Sequence, residues 1–316
     1  MKPLIKNKVK TCSELLKDYE RMPAPTKPEK IEFTGVGERD VYNITAPFED
    51  NGELVIAGRV EDRNSEHSNV YFFIESEGVW SPRADAPVFE LQDPFVTRIG
   101  GELILGGVEI FPHPTRKDAL SWRTVFLQRF KLSDLKQFAT GPDGMKDLRL
   151  VQLADERIGI FTRPQGEKGG RGKIGFQPID SITAFTQDTI NHAPLLDEQF
   201  TDEEWGGANE IHLLSNGLLG VLGHIASFDE MGNRHYYSMA FAVNPKNQQY
   251  SDLQLIAKRS DFLPGESKRS DLHDVVFSGG LVRRADGLAD LYVGISDAEA
   301  QKITIVDPFI QFEEEN

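Results

Sequence analysis

One short pattern recurs five times along this chain of 316 residues and constrains its fold more than any other feature. Each copy is a turn rich in Gly, Asn or Asp that leads into a short apolar run, and the intervals between aligned copies are 49 to 72 residues. Units of that length, each with room for several strands, are typical of β-propeller blades rather than of a sandwich. The sequence therefore predicts an all-β fold, a five-bladed β-propeller. The copies are NGELVIAGR (51–59), GELILGGVE (101–109), DERIGIFTR (155–163), NGLLGVLGH (216–224) and DGLADLYVGIS (286–296).

The first thirty residues differ from the rest. Ser13 can cap a short helix through Leu15 and Tyr19, and the prolines from Pro23 onward would end it. We therefore predict two parts, an N-terminal helical arm (1–30) and a catalytic propeller domain (31–316). The arm is either poorly ordered or docked on the domain or a partner subunit, because terminal segments are ordered only when they are held down. Because the arm could contact a second subunit, a homo-oligomer is also left open.

Charge and composition exclude several classes of protein. The net charge of −15 argues against nucleic acid and anionic membranes as partners, since both require clustered Lys and Arg. It leaves room for a small anion held by a few local cations. The single cysteine, Cys12, allows no internal disulfide, and the chain shows neither a signal peptide nor an apolar run long enough to span a membrane. We expect a cytoplasmic protein.

The repeat also aligns polar residues at equivalent strand ends. Such ends converge on one funnel in a propeller, where polar groups are costly to bury unless they meet a ligand or one another. The alternative is that they are ordinary solvated turn residues. We take one aligned apolar residue of each copy as its anchor, and the anchors are Leu54, Leu103, Ile158, Leu219 and Leu291. The residues five positions after them are Arg59, Val108 (followed by Glu109), Arg163, His224 and Ser296. Ten or eleven residues before the first four come Asn43, Asp93, Asp147 and Asn209 (followed by Glu210), while Asp274 precedes the fifth at a greater distance.

These residue types favour glycosyl transfer with inversion. That reaction needs an acid on the leaving oxygen and a nucleophile on the opposite face of the sugar. Propeller glycosidases usually carry an Asp at the start of the first blade, where this chain has Asn43, and an amide cannot act as a base. Arg149, Arg163 and His224 instead offer positive charge. The pattern therefore predicts Asp93 as the acid and phosphate as the nucleophile.

Several segments resemble known sugar-active families. The segment QDPFVTRIGGELIL (92–105) resembles the Glu-Asp-Pro-Arg segment of the mannoside phosphorylases in glycoside hydrolase family 130, with Gln92 and Phe95 as departures. Segments 147–166, 274–282 and 291–299 resemble that family's third and fifth blades. The chain is more similar still to a group of mannosyltransferase/phosphorylases long labelled a domain of unknown function, over about residues 35–310.

The resemblance implies a role for each matching residue. Asp93 would be the general acid, acting through a sugar hydroxyl, and the departures at Gln92 and Phe95 would alter the leaving-group subsite. Other interpretations stay open: Asp93 could simply begin a strand, Arg149 could only pair with Asp147, and His224 could be a core histidine. The implied sugar contacts are Asn43, Arg59, Asp274 and nearby His273, to which we add Asn209 and Glu210, and the implied phosphate ligands are Arg149, Arg163 and His224.

We therefore predict an enzyme, an inverting β-mannoside phosphorylase that converts β-1,2-linked manno-oligosaccharides and phosphate to α-mannose 1-phosphate. The alternatives are a GDP-mannose-dependent β-mannosyltransferase on the same site, a propeller glycoside hydrolase, and a non-catalytic sugar-binding propeller. Manno-oligosaccharide and inorganic phosphate are the expected partners. No cofactor and no metal are expected, since the histidines lack metal-ligand spacing, and GRGKIG (170–175) lacks the strand and helix of a dinucleotide site.

Overall fold

The structure is a computed structural model that describes residue 4 and residues 6–313. Strands dominate it, so the predicted all-β class is confirmed. Near the N-terminus lie one helix and two short strands: α1 (Cys12–Tyr19), β1 (Thr26–Lys30) and β2 (Glu32–Phe33). The strands form four hydrogen-bonded sheets of eight, four, three and six strands. We divide the later strands into five groups in chain order, of which the fourth and fifth belong to the eight-stranded sheet.

The first group contains β3 (Asp40–Tyr42), β4 (Phe48–Asp50), β5 (Glu53–Glu61), β6 (Ser68–Ser76) and β7 (Val79–Pro82). The second contains β8 (Gln92–Ile99), β9 (Glu102–Pro112), β10 (Leu120–Arg129) and β11 (Lys136–Thr140). The third contains β12 (Arg149–Gln152), β13 (Ile158–Thr162) and β14 (Gly175–Ile179), followed by α2 (Gln187–His192). The fourth contains β15 (Trp205–Leu213), β16 (Leu219–Phe228), β17 (Arg234–Val243) and β18 (Gln254–Ala257). The fifth contains β19 (Asp274–Arg283), β20 (Leu288–Ile295) and β21 (Glu299–Val306), followed by α3 (Ile310–Glu313).

The sequence repeat corresponds to one strand of each group. In every group the apolar run after the turn forms a strand that pairs antiparallel with the strand before the turn. The predicted alignment is displaced in the fifth copy, because Leu291 is the fourth residue of β20 whereas Ile158 and Leu219 begin β13 and β16. The predicted alignment therefore places equivalent residues near equivalent strand ends in the first four copies, and it is shifted by about three residues in the fifth.

The N-terminal segment connects the two ends of the strand series. β1 pairs antiparallel with β21 in the fifth group, and β2 pairs parallel with β7 in the first. A short parallel pairing of β17 with β19 also links the fourth group to the fifth. Hydrogen bonds of this segment therefore connect the first strand group to the fifth.

Helix α1 is docked on the domain. Thr11, rather than the expected Ser13, caps it, since Thr11 accepts from the Glu14 backbone and the Glu14 carboxylate accepts from the Thr11 N–H. Cys12, Leu15 and Tyr19 are buried in a core shared with the third and fourth groups. The described part of the arm is therefore docked on the domain rather than poorly ordered. Residues 1–3 and 5 of the arm lie outside the described residues. None of the described helices is long and apolar enough to cross a membrane.

Candidate active site

All five strand groups contribute to one open cleft with about 820 Å³ of space. Most of the residues that line it lie near strand ends or in the loops beside them, while His224 lies within β16. Six of them are cations and four are carboxylates. The lining residues are Asn43, Arg59, Glu66, Gln92, Asp93, Lys146, Asp147, Arg163, His224, Arg234, Tyr236, Lys268, Arg269, Leu272, Val275, Phe277 and Asp297.

Asp93 lies in this cleft at an irregularity of the β8–β9 pairing. The register shifts between Gln92 and Phe95, and Asp93 adopts a left-handed backbone with φ 48°. Strained non-glycine residues of this kind persist where the surroundings hold them, often at functional sites. The irregularity aims the Asp93 carboxylate at Asn43, whose Nδ2 donates to Oδ1 at 2.7 Å, and at Arg59, whose Nη1 donates at 3.1 Å.

The charge of Asp93 depends on the cations around it. Burial alone would raise the pKa of its carboxyl group, but Arg59 and Lys146 outweigh burial and hold that pKa below its ordinary value. Asp93 is therefore ionised at neutral pH in the ligand-free protein.

Arg59 is held in place from the side away from Asp93. Its Nε donates to Glu61 at 2.7 Å and to the Ser68 hydroxyl at 2.8 Å, and its guanidinium lies over the Tyr42 ring, 4.8 Å from the centroid. Glu61 is itself buried and also pairs with Lys268. The position of Arg59, and through it the charge state of Asp93, thus depends on a buried ion-pair network.

A second carboxylate, Asp297, faces the same network, and the sequence analysis missed it. It follows β20 in a turn and has a left-handed φ of 51°. Burial raises the pKa of Asp297 above its ordinary value; Arg59 opposes that rise and the charge of Asp93 adds to it. The environment therefore separates the pKa values of the two carboxyl groups, as in sites that divide acid and base roles.

Arg163, Asp147 and His224 form a second buried cluster in the cleft lining. Arg163 Nη1 lies 3.3 Å from Asp147 Oδ2, and its Nε donates to the Gly206 carbonyl at 2.9 Å. Burial would raise the pKa of Asp147, but Arg163 outweighs it and lowers that pKa to about 2. Glycine at 207 permits this packing, because a Cβ there would lie 2.9 Å from His224 and 3.0 Å from Arg163.

His224 is neutral, so the positive charge expected for it is a wrong prediction. Burial lowers its pKa to about 3, and the nearby Asp147 only partly opposes this. Its Nδ1 donates to Asn209 Oδ1 at 2.8 Å, since an amide oxygen can only accept. Its ring stacks on Tyr236, with centroids 5.4 Å apart. His224 can therefore offer the cleft a neutral imidazole, and Asn209 acts behind it.

Arg149 lies behind the cleft rather than in its lining. Its Nε donates to the Asn209 carbonyl at 2.6 Å, and its guanidinium lies 4.0 Å from the centroid of the Phe95 ring. Burial lowers its pKa to about 10. The pair with Asp147 that was the other interpretation is not formed either, because Asp147 pairs with Arg163. Its position supports packing more than contact with phosphate.

Three further predicted residues lie outside the cleft lining. Glu210 Oε2 bonds to His212 at 2.8 Å and to the Leu281 N–H at 2.7 Å, and it lines a different, smaller space. Asp274 accepts from His235 at 2.6 Å and from the Tyr237 hydroxyl at 3.2 Å. His273 is exposed. The structure thus brings together Asn43, Arg59, Asp93, Arg163 and His224 in the cleft lining. Neither these three nor Arg149 and Asn209 belong to it, and Asn209 lines the same smaller space as Glu210.

The cleft also contains cations that the repeat could not reveal. Lys268 and Arg269 belong to the polar connection before β19, and Arg234 begins β17. Lys146 directly precedes Asp147, and Tyr236 with Phe277 adds an aromatic wall. In the sequence, the segment 259–274 is polar and carries mixed charge, which indicates a loop at the rim of the funnel and is a signal that points to Lys268 and Arg269. Among the described residues, no group of three or more His, Cys, Asp and Glu side chains could hold a metal ion.

An all-β chain with a cation-rich cleft and a buried, Arg-paired carboxylate belongs to a class of protein whose site is suited to a polar, anionic ligand. The family model described as Protein of unknown function (DUF1861) matches residues 18–311, so the chain belongs to that family. The resemblance seen in the sequence is thereby confirmed. No curated protein matches the chain.

Solved structures add two similar proteins from Leishmania mexicana. The chain is 34% identical to MPT-4, a mannose phosphorylase in complex with a phosphate ion, with TM-score 0.88 over 96% of this chain and 95% of that one. It is 31% identical to MPT-1, a GDP-Man-dependent mannosyltransferase, with TM-score 0.85 over 95% of each chain. A β-1,2-mannobiose phosphorylase from Listeria innocua, at 12% identity and TM-score 0.60 over 93% of this chain and 95% of that one, shares the fold.

Proposed function

We propose that this protein is an inverting β-mannoside phosphorylase that converts β-1,2-linked manno-oligosaccharides and phosphate to α-mannose 1-phosphate. The chain is an enzyme that acts on sugars, in keeping with the mannose phosphorylase and the mannosyltransferase at more than 30% identity. The β-1,2 linkage that is cleaved, the sugar that leaves as acceptor and the phosphorolytic direction of the reaction are part of the proposal.

One observation carries the proposal: an acidic chain, of net charge −15, gathers six cationic side chains against four carboxylates in a single cleft. Arg163 Nη1 is buried there and forms an ion pair with Asp147 Oδ2 at 3.3 Å, but it makes no hydrogen bond among the described residues. A buried donor of this kind gains from a ligand oxygen that completes its hydrogen bonding. Phosphate oxygens would satisfy it, with further attraction from Lys146 and Arg234.

The proposed reaction is a single displacement at the anomeric carbon. A phosphate oxygen attacks from the α face, the new C1–O–P bond forms, and the β-glycosidic C1–O bond breaks. The proton that hydrogen phosphate loses balances the one that the leaving sugar oxygen gains. Arg163 and its neighbouring cations would hold the phosphate, while Asn43 and Arg59 would bind sugar hydroxyls beside Asp93.

Asp93 would deliver the proton to the leaving oxygen through a sugar hydroxyl. In the free protein its pKa is lowered, mainly because Arg59 outweighs burial. A bound phosphate adds negative charge and competes for the cations, and both effects raise the pKa of a nearby carboxyl group. Phosphate binding would therefore load Asp93 with the proton that it donates. Asp297, whose pKa is already raised, would bind sugar hydroxyls at the same point.

The second candidate is a GDP-mannose-dependent β-mannosyltransferase on the same site, favoured by the 31% identity to MPT-1. In this reaction the phosphate of the α-linked nucleotide sugar would lie where free phosphate would bind. The acceptor oxygen that becomes β-linked would lie next to Asp93. A hydrolase is disfavoured because Asn43 cannot activate water, and because Arg163 holds Asp147 as an ion pair.

The proposal includes the overall architecture. We propose that the five strand groups are the blades of a propeller formed by residues 31–316, and that the arm of residues 1–30 closes the ring by adding β1 to the fifth blade. Phosphate would be a co-substrate, with no cofactor or metal, in a cytoplasmic enzyme. A homo-oligomer stays a prediction.

The decisive experiment incubates the protein with β-1,2-mannobiose, with and without phosphate, and with GDP-mannose plus a β-mannoside. Phosphorus NMR should show α-mannose 1-phosphate only in the phosphate arm. Release of free mannose at equal rates in both mannobiose arms would indicate a hydrolase, and product from GDP-mannose alone would indicate the transferase. Binding without turnover in every arm would leave a non-catalytic sugar-binding protein.

A further inference from the structure

Asn209 lies outside the cleft lining, but its side chain contacts a residue that belongs to it. Its Oδ1 lies 2.8 Å from His224 Nδ1, and the residue is only 2% exposed. Its Nδ2 is buried and has no hydrogen-bond acceptor among the described residues. A buried amide N–H without an acceptor is costly, so packing alone does not explain an asparagine at this position. The hydrogen bond to His224 is what the amide contributes.

This hydrogen bond fixes which ring nitrogen of His224 carries the hydrogen. An amide oxygen can only accept, so Nδ1 carries the proton and donates it to Asn209. Because the ring is neutral, Nε2 carries no hydrogen and presents a lone pair. The rings of Tyr236 and Phe277 pack against the imidazole, with centroids 5.4 and 5.8 Å away, and hold its plane. Since His224 lines the cleft, Nε2 is the ring nitrogen that remains for a ligand.

His224 is adjacent to the arginine proposed to hold phosphate. A Cβ on Gly207 would lie 2.9 Å from His224 Cε1 and 3.0 Å from Arg163 Cδ, so the two side chains approach the same point. The Nη1 of Arg163 makes no hydrogen bond among the described residues, although it forms an ion pair with Asp147. An oxyanion bound to Arg163 would therefore lie beside a ring nitrogen that can only accept.

An acceptor beside a cationic donor distinguishes between oxyanions of the same shape. At neutral pH inorganic phosphate and arsenate carry at least one proton, so one of their oxygens can donate to Nε2 while the others accept from Arg163. Sulfate is also tetrahedral but carries no proton, so it would place an oxygen lone pair against that of Nε2. A site that hydrogen-bonds a hydroxyl rejects an analogue that lacks one, because the partner group is then left unpaired.

We infer that Asn209 is a positioning residue that, through the tautomer of His224, makes the cleft specific for an oxyanion that carries a proton. The inference rests on the proposed function and adds to it the orientation in which phosphate binds. The phosphate hydroxyl faces His224, and the unprotonated oxygens are left for Arg163 and for attack on the sugar. The hydrogen bond requires no proton transfer to His224, so the balance of the displacement is unchanged.

The test measures anion binding directly, by calorimetric titration of phosphate, arsenate and sulfate at neutral pH. In the natural protein sulfate should bind roughly 10- to 100-fold more weakly than phosphate, the scale of one hydrogen bond to a charged group, and arsenate should bind like phosphate. Asn209→Leu and Asn209→Ala remove the acceptor but keep the backbone carbonyl to which Arg149 donates. A buried Nδ1–H would then have no partner, so the Nε2–H tautomer is favoured, and the ratio of the sulfate Kd to the phosphate Kd should fall by roughly 10-fold.

Nitrogen NMR of the histidine rings checks the tautomer separately, with the His224 signals assigned by their loss in His224→Gln. Nδ1 should carry the proton in the natural protein, and Nε2 should carry it in Asn209→Leu. Asn216→Leu is the matched control, because Asn216 lies in the turn between β15 and β16, outside the cleft lining, and it should change neither the tautomer nor the ratio. A merely structural role of Asn209 would lower the melting temperature of its variants and leave both readouts unmoved.

An Nε2–H tautomer in the natural protein, or equal affinities for sulfate and phosphate, would overturn the inference while phosphorolysis stands. Both measurements use the natural protein, so they decide the inference even if the Asn209 variants do not fold. An unchanged ratio in folded Asn209→Leu and Asn209→Ala would overturn it as well. If neither phosphate nor arsenate bound, the phosphate site of the proposed function would be wrong, and the inference with it.

Discussion

Arg59 Nη1 lies 3.1 Å from Asp93 Oδ1, and both side chains are less than one-tenth exposed. The same guanidinium donates to Glu61, which is also buried. Removing one member of such a pair leaves an uncompensated charge in a site of low dielectric. The protonation of Asp93 is therefore set by Arg59, and any ligand that draws Arg59 away will raise the pKa of Asp93.

Replacing Arg59 by Gln should raise the pKa of Asp93 above its ordinary value, because burial then acts without its main opponent. Carbon NMR titration of the carboxyl groups checks this, with the Asp93 signal assigned by its loss in Asp93→Asn. Arg123→Gln is the control, since Arg123 pairs with Glu109 outside the cleft lining. An Asp93 pKa that stays low in Arg59→Gln would mean that other cations hold it.

Replacing Asp93 by Asn should lower the rate of phosphorolysis by at least ~10²-fold, the usual scale of general acid catalysis. The amide keeps the size of the side chain but cannot donate a carboxyl proton. Asp297→Asn is the informative comparison, because burial raises the pKa of Asp297 and makes it the other group able to carry a proton. If Asp93→Asn kept near-natural activity while Asp297→Asn lost it, the acid would be Asp297.

The parts of the site that the sequence predicted are those governed by strand position. Asn43 and Asp93 occupy equivalent positions in the first and second groups, and Arg59 lies near the end of β5, where it pairs with Tyr42 beside Asn43. The structure joins the three by hydrogen bonds. Hairpin register and the period of two along a strand are local properties, so a repeat reveals them. The same reasoning brought Arg163 and His224 to the cleft.

The missed parts depend on burial and on backbone irregularity. The alternation of a strand would place Asp147 and Arg149 on the same face, but the left-handed φ of 58° at Asp147 interrupts it, and Arg149 packs behind the cleft. Asp274 falls where the repeat is displaced, while Asp297 lies in a turn after β20 that the repeat does not include. The neutrality of His224 follows from burial, which the identity of the residue does not show.

His224 should make the protein less stable as the pH falls. Its pKa is 6.5 when unperturbed and about 3 in the folded protein, so between these values the unfolded chain binds a proton that the folded chain does not. Its contribution is complete above pH 6.5 and is lost as the pH falls toward 3. The slope within that window approaches ~1.4 kcal/mol per pH unit. Urea unfolding at several pH values should show a shallower slope for His224→Gln, and identical slopes would contradict the neutral assignment.

Arg163 and Arg149 should separate phosphate binding from packing. Arg163 lines the cleft, and its Nη1 is ion-paired with Asp147 but makes no hydrogen bond among the described residues, so Arg163→Gln should raise the KM for phosphate by roughly 10-fold or more, the scale of a hydrogen bond to a charged group. Arg149 donates only to the Asn209 and Leu148 carbonyls, so Arg149→Gln should lower the melting temperature and leave that KM unchanged. Steady-state kinetics with varied phosphate, together with thermal unfolding of both variants, check this. A raised KM in Arg149→Gln, with unaltered stability, would return Arg149 to the phosphate site that the sequence predicted for it.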